Sequence, residues 1–512
     1  MTATADQSEN GSGARSEKTV CLVLFLAFWL TYSFFFQGGG WNQNVRFDLI
    51  RAIVEDGRLS INPYIEKTPN TGDLAVYKGH YHPNKPPGIS FLGAPVYAVL
   101  FYGEILLGME PLGSLSALHW NAHLVCAMTV SLLSAVLCVF LFTALKFLRP
   151  APVRERLFIT IGYGLGTMAF PWSTMLHAQQ VSAALTFIAF ALLLKQEYGP
   201  DVAGRASEST GCRCCNVDLV AGILCGFSIL VEYNNLVAAT LLAGFRLLGP
   251  RPGFGLKRLA VGAAVPLAAL MLYQWSCFEN PFVSNYRYQN LDFQNEAGAV
   301  FQLPSPKALL DLTILPYRGL FFSAPFLLLA IPGMVWFHRQ IYGRLPEALL
   351  CLALVVFYLV LNASFIKYHG GWTVGPRYLV PCLPFLAAAV HFYRPWNKLL
   401  AWLLLLISIF FQTALTVVHP APPDASHNPL LNHTLYLYSR NRISVNTQSM
   451  LDKWPSEKIG QPIPAGAEWN SFNLGEAIGL EGVLSLLPLV ILWGSMFFYL
   501  RRRGETNESL DC

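Results

Sequence analysis

The sequence predicts an all-α polytopic membrane protein, and three observations carry that prediction: composition, the recurrence of long apolar runs, and the placement of basic residues between them. Of 512 residues, 54% are hydrophobic and only 13% charged, against about 25% charged in an ordinary soluble domain; mean hydropathy is +0.43. Apolar runs fall near 20–37, 119–145, 157–175, 180–195, 218–233, 235–249, 259–277, 317–337, 346–365, 378–393, 398–418 and 480–500, about twelve spans by the usual length requirement. Inside a bilayer such runs must be helices, because every backbone group has to be satisfied within its own segment. The basic stretches Lys146 to Arg156, Lys195 to Arg213, Arg246 to Arg258, Arg339 to Arg344, Arg394 to Lys398 and Arg501 to Arg503 share one side only if 88–107 does not cross. The positive-inside rule makes that side cytoplasmic. Residues 88–107 are therefore expected to form an interfacial or half-inserted helix.

The rest of the organisation follows from these assignments. Residues 1–18 are polar and Gly/Ser-rich, the composition of a disordered tail. Arg15 and Lys18 precede the first run without a small-residue cleavage site, so a retained anchor with a cytoplasmic tail is expected. The transmembrane domain covers 19–418 and includes a long first outer loop, 37–118. A proline- and asparagine-rich outer cap covers 419–479, a last membrane helix 480–503, and a polar tail 504–512. The net charge of +5 is spread over short loops and gives no reason to invoke nucleic acid. Cys212, Cys214 and Cys215 lie in an expected cytoplasmic loop. Without accompanying histidines they read as free or palmitoylated thiols rather than as a metal site.

The polar residues with chemical potential concentrate in the first outer loop. Val45, Leu49, Ile50, Ile53 and Val54 recur at three- and four-residue spacing, the pattern of an amphipathic helix. Asp48 and Arg51 share its other face, and Gly57 suits a left-handed cap. Asp48 is thus either a catalytic base or one half of a surface ion pair, the latter nearly neutral in energy. Further on come Asp73 in Asn70-Thr71-Gly72-Asp73, then Tyr77, His80 and His82, then Lys85-Pro86-Pro87. Prolines are tolerated in a first helical turn, which would put Lys85 at the start of the next helix, where an ammonium beside free N–H groups suits a phosphate. The competing reading of Lys85 is a side chain that snorkels to the headgroups. His80 and His82 alternate on a short strand and, with the carboxylates, are candidate ligands of a divalent metal such as Mg or Mn.

Ionisable groups at membrane depth are costly and tend to mark sites. At the outer ends of the apolar runs this selects His177, Glu232, Arg318, His369 and Arg377. Trp372, shortly before the last of these, is either a surface on which a sugar can stack or an ordinary interfacial tryptophan.

An acidic helix directly after the first span, followed by Lys85-Pro86-Pro87 opening an apolar surface helix, resembles the GT-C glycosyltransferases. Within that superfamily the chain is most similar to the protein O-mannosyltransferase and lipid A aminoarabinose transferase group. Leu230-Val231-Glu232-Tyr233, Asn280-Pro281-Phe282, Pro316-Tyr317-Arg318-Gly319 and Gly370-Gly371-Trp372-Thr373-Val374-Gly375-Pro376-Arg377 fit in order, so that the resemblance covers most of 20–395. It implies a GT-C-like helical bundle in a bacterial inner membrane. The implied activity is inverting transfer of a sugar from a polyprenyl phosphate to an envelope glycan, lipid or protein on the outer face. Lys85 would hold the carrier phosphate, with Arg318 and Arg377 as further grips. Asp48, then Asp73, would be the base, and Tyr77, His80, His82, His177, Glu232, His369, Trp372 and Tyr378 would line the substrate. The chain departs from the family at Asn42-Gln43, where an acidic pair is expected. A catalytically silent binder of lipid-linked sugar remains the alternative, with a secondary transporter behind it.

Overall fold

The computed structural model describes residues 3–67, 70–109, 115–199, 211–249, 252–289, 300–340, 345–393, 398–446, 448, 450 and 471–508. The first apolar run lies in α1 (Ala3–Tyr32), whose opening turns take in the polar tail that composition assigns to disorder. The outer loop supplies β1 (Phe35–Phe36), α2 (Trp41–Glu55), α3 (Asn62–Lys67), a hairpin of β2 (Leu74–Tyr77) and β3 (His80–Pro83), and α4 (Gly88–Leu106). Helix α5 (Leu115–Cys126) passes through a π-helical turn, Ala127–Ser131, into α6 (Leu132–Leu148). Then follow α7 (Val153–Gly166), α8 (Ala169–Trp172), α9 (Ala178–Tyr198), α10 (Gly211–Val231), α11 (Asn235–Leu247) and α12 (Pro252–Phe278). The second half comprises α13 (Pro306–Thr313), α14 (Leu320–Ser323), α15 (Ala330–Gln340), α16 (Leu345–Ser364), α17 (Leu383–Val390) and α18 (Lys398–Val418). The chain closes with α19 (Tyr436–Tyr438), β4 (Phe472–Asn473), α20 (Leu474–Ala477) and α21 (Leu487–Glu508).

Seven described stretches are long and apolar enough to cross a membrane: Gly88–Leu106, Leu118–Leu148, Ala178–Tyr198, Gly253–Phe278, Leu345–Ser364, Lys398–Val418 and Gly482–Leu500. Asn216–Val231, Asn235–Leu247, Pro325–Phe337 and Arg377–Val390 are apolar but shorter. The protein is thus a helical, multi-pass membrane protein, with seven full-length candidates and four shorter apolar helices among the described residues. The run at 157–175 breaks after Gly166, where Thr167 takes an extended conformation, and re-forms only as the single turn α8. The main core gathers apolar side chains of α1, α6, α7, α9, α17 and α18, with Phe187 and Phe190 packed on Phe385.

The helices share two ends. At one, Glu17 pairs with Lys146 and Arg156, and Arg149 donates to the His391 carbonyl at 2.8 Å. These are the loops predicted to be basic. The other end holds the first outer loop. Helix α4 has both of its ends there: Gly88 lies against the backbone of Leu230 and Val231, and Glu104 accepts from Asn121 Nδ2 at 3.2 Å, beside the contact of His119 with Phe36. Although long and apolar enough to cross, α4 lies along that end of the bundle, alongside α2.

Helix α2 differs from the expected surface helix. Phe47, Ile50 and Val54 pack toward Ile89, Ala94 and Tyr97 of α4, while Val45, Leu49 and Ala52 pack toward Ile61 and α12. Both faces are therefore internal, and Gln43, Asn44, Arg46 and Asp48 are buried with it. Gly57 is left-handed (φ +63°) after the helix, as its position suggests. The cap segment is tied to the same loop: Asn446 Nδ2 donates to the carbonyls of Gln37 (2.7 Å) and Gly39 (3.0 Å), and β1 pairs antiparallel with β4. The part of the cap at 451–470 lies outside the described residues.

Candidate active site

The β2–β3 hairpin sets the first pair of the site. Its register matches Leu74 to Pro83, so the residues just outside it, Asp73 and Asn84, meet; Asn84 N–H donates to the Asp73 carbonyl at 3.0 Å. One residue further, Lys85 Nζ lies 3.2 Å from Asp73 Oδ1, and both side chains are largely buried. Asn285 pins this stretch from the opposite side, donating to the carbonyls of Pro83 (2.7 Å) and Lys85 (3.1 Å). Gly88 then matters for its missing side chain: a Cβ there would sit 2.7 Å from the Leu230 and Val231 backbone. That close approach brings Lys85 to Glu232, the residue at the turn between α10 and α11.

Around this pair gather Arg46, Glu232, Tyr286, His177, Arg377 and Tyr378. Arg46 is 1% exposed, held by Asn42 Oδ1, which accepts from its Nε at 2.9 Å. Asn42 is one of the two amides standing where the family resemblance leads one to expect acids, and here it orients an arginine one helical turn away. Tyr286 donates to Glu232 Oε1 at 3.3 Å. Burial pushes the Glu232 carboxyl up, while the charges of Arg46, Lys85 and Arg377 and the Tyr286 hydrogen bond oppose that rise. His177, at the amino end of α9, is held well below its usual range by burial and by the charges of Arg377, Arg46 and Lys85, so its imidazole is neutral. Arg377 donates to the Tyr378 hydroxyl at 2.9 Å. Among the described residues, Arg46 Nη2, Arg377 Nε, His177 Nδ1 and both side-chain polar atoms of Asn84 are buried with no hydrogen-bond partner. Orphaned buried polar atoms are expensive, and their concentration at one place marks where a polar ligand fits.

Several residues proposed from sequence stand elsewhere. Asp48 is fully buried on a different side of α2 and accepts from Asn70 Nδ2 at 3.1 Å; Asn70 also donates to the Met450 carbonyl. It therefore links α2 to the cap and is not grouped with the site cations. Arg51 pairs instead with Glu55 at 2.7 Å. Arg318 is spent on backbone, donating to the carbonyls of Tyr317, His369 and Gly371. It clamps the turn before Arg377. Tyr77 reaches out to Glu279, His80 is exposed, and His82 contacts the Leu59 carbonyl at 3.2 Å with its ring against Phe278. His369 accepts from Gly371 N–H at 3.1 Å and lies 3.9 Å from Asp424. Trp372, partly buried, belongs to the same turn.

Three contributors escaped the sequence reading. Arg46 carried a usable signal, since it falls on the face continued by Ile50 and Ile53, and an arginine within an apolar stripe has to be paired or functional. Tyr286 carried none, because its partner Glu232 comes from a distant segment, and Asn84 is placed by the hairpin register. As for a divalent metal, no three His, Cys, Asp or Glu side chains converge among the described residues. The two carboxylates of the site, Asp73 and Glu232, are engaged by Lys85 and Tyr286, and three cationic side chains surround them.

Neither a protein-family model nor a curated protein matches the sequence. Among solved structures, the chain is similar to ArnT from Cupriavidus metallidurans bound to undecaprenyl phosphate, with TM-score 0.47 and 15% identity, over 84% of this chain and 69% of that one. It is also similar to the Archaeoglobus fulgidus oligosaccharyltransferase in its apo form, with TM-score 0.49 and 12% identity, over 88% of this chain and 62% of that one. The archaeal protein in complex with an inhibitory peptide and a dolichol-phosphate gives TM-score 0.45 at 12% identity, over 88% of this chain and 61% of the other. The chain thus spans less than two thirds of the length of the archaeal oligosaccharyltransferase.

Proposed function

We propose that this protein is a membrane glycosyltransferase of GT-C type that moves a sugar from a polyprenyl phosphate to an acceptor on the outer face of a bacterial inner membrane. The observation that carries the reading is the convergence of Arg46, Lys85 and Arg377 with Asp73 and Glu232 in one buried site, at the end of the bundle away from the basic loops. Three cations and two carboxylates leave an excess of one positive charge, which matches the single charge of a phosphodiester. On transfer, the bond from the anomeric carbon to the phosphate oxygen breaks and a bond to the acceptor oxygen or nitrogen forms. The carrier leaves as a phosphomonoester with a second negative charge. The acceptor proton goes to a carboxylate, which loses its own charge, so the total within the site is unchanged. Buried sites favour reactions that keep charge balanced in this way.

Asp73 is our candidate base, beside Lys85 and within the same buried site; Glu232 and Tyr286 shape the far wall. This replaces Asp48, the first choice from sequence. Lys85 and Arg377 hold the phosphate, Arg377 with the fork geometry suited to it, and Arg46 adds a third positive charge fixed by Asn42. The amides at Asn42 and Gln43 favour a second reading, a binder of lipid-linked sugar without turnover. Protein in nanodiscs, incubated with radiolabelled polyprenyl-phosphate sugars and an envelope extract, separates the two. Label transferred by wild type but not by Asp73→Asn or Lys85→Ala supports the enzyme, whereas carrier binding without transfer across a broad panel supports the silent binder. Transfer unaffected by a metal chelator is expected from the donor set.

A further inference from the structure

A cavity of about 430 Å³ lies under the cap segment, lined by Lys307, Asp311, Pro316, Tyr317, Asp424 and His427, a volume in the range of small-molecule sites. Its polar walls are organised. Buried Asp311 accepts from Lys307 Nζ at 2.5 Å and from the Tyr368 hydroxyl at 2.6 Å. Tyr317 donates to the Asp424 carbonyl at 3.0 Å, with its ring 4.5 Å from the Arg318 guanidinium carbon.

One backbone turn connects this cavity to the active-site arginine. Arg318, next to Tyr317, holds the carbonyls of His369 and Gly371, and His369 faces Asp424. On the same turn Gly370 lies so near Arg377 that a Cβ would stand 3.1 Å from Nε. Gly370 and Gly371 are both left-handed, φ +73° and +75°, so the turn between cavity and arginine carries no side chain at its two central positions.

We propose that this cavity is the acceptor subsite and that it takes a hydroxylated sugar ring, the end of a glycan or of a glycolipid headgroup. The inference rests on the transferase reading above. The lining suits that ligand: Asp311 and Asp424 accept from hydroxyl groups, while Pro316 and the Tyr317 ring offer apolar surface to the C–H face of a pyranose. The turn held by Arg318, with Gly370 beside Arg377, separates a ring seated there from the arginine proposed to hold the carrier phosphate.

Saturation-transfer NMR on the full chain in nanodiscs, with methyl α-mannoside, methyl α-glucoside and methyl α-galactoside as probes, tests the assignment. Binding of undecaprenyl phosphate is measured in the same samples. Wild type is expected to transfer saturation to at least one glycoside. Ala425→Trp, at an exposed rim position of the cavity, is expected to abolish that signal while carrier binding, which also reports folding, is unchanged. Lys85→Ala is expected to do the reverse. A glycoside signal that survives Ala425→Trp, or carrier binding with no glycoside signal in wild type, overturns the subsite alone. Failure of wild type to bind carrier overturns the transferase reading beneath it.

Discussion

At the residue scale, the site is defined by which carboxylate meets which cation. Asp73 and Asp48 are both buried, yet only Asp73 has a lysine 3.2 Å away. Replacing it by asparagine keeps the shape and removes the proposed base, so transfer is expected to fall by about a hundredfold or more while carrier affinity is undiminished. Single-turnover transfer assayed beside carrier binding checks this. Asp48→Asn is expected to retain transfer. Its effect is on stability: burial pushes the Asp48 carboxyl up to about 7, the Asn70 hydrogen bond and Arg51 offsetting only part of the rise. Because the folded pKa exceeds that of the unfolded chain, near 3.9, the folded state keeps a proton the unfolded chain has lost, and stability declines as pH rises from about 4 to about 7. The difference in Tm between Asp48→Asn and wild type should therefore widen in favour of the variant across that window. A constant difference would mean that Asp48 is ionised in the native protein.

At the scale of elements, the site depends on two close approaches. The hairpin register brings residues 73 and 85 together, and Gly88 lets the start of α4 touch the end of α10. In Gly88→Ala the new methyl meets backbone at 2.7 Å, which cannot swing aside as a side chain would. Overpacking of this kind costs about 1–3 kcal/mol, and the displacement of α4 carries Lys85 away from Glu232. A lower Tm together with weaker carrier binding is expected, whereas Gly103→Ala, with open space around it, should change neither. Arg318 works at the same scale. Its three backbone hydrogen bonds make the turn before Arg377 rigid, which is how a residue proposed as a phosphate ligand serves as a support.

At the scale of the molecule, charge separates the two ends of the bundle. Glu17, Lys146, Arg149 and Arg156 gather at one, and the site and cap at the other. An impermeant thiol reagent applied to intact cells is expected to label Lys78→Cys and Leu106→Cys, both in exposed positions, but not Arg154→Cys. Labelling of Lys78→Cys without Leu106→Cys would show that α4 crosses the membrane after all. Exposed apolar surface on α12, α18 and α21, such as Val265, Leu406 and Val490, is what a bilayer covers.

The apolar runs and basic loops by themselves determined the helical membrane class and the two ends, because bilayer thickness and loop charge act on local composition. They also marked Glu232 and Arg377 as costly groups at span ends, while the Pro-Pro pair that follows it marked Lys85. What they left open was pairing. Periodicity placed Asp48 on the polar side of a surface helix, but it cannot register that a second apolar layer, from α12 and the hairpin, covers that side too. Tyr286 and the orphaned nitrogen of Arg46 acquire meaning only when distant segments meet, as Tyr286 does with Glu232 and Asn285 with Lys85. Burial fixes the charge state and partners of each polar group, and burial is a property of the assembled fold.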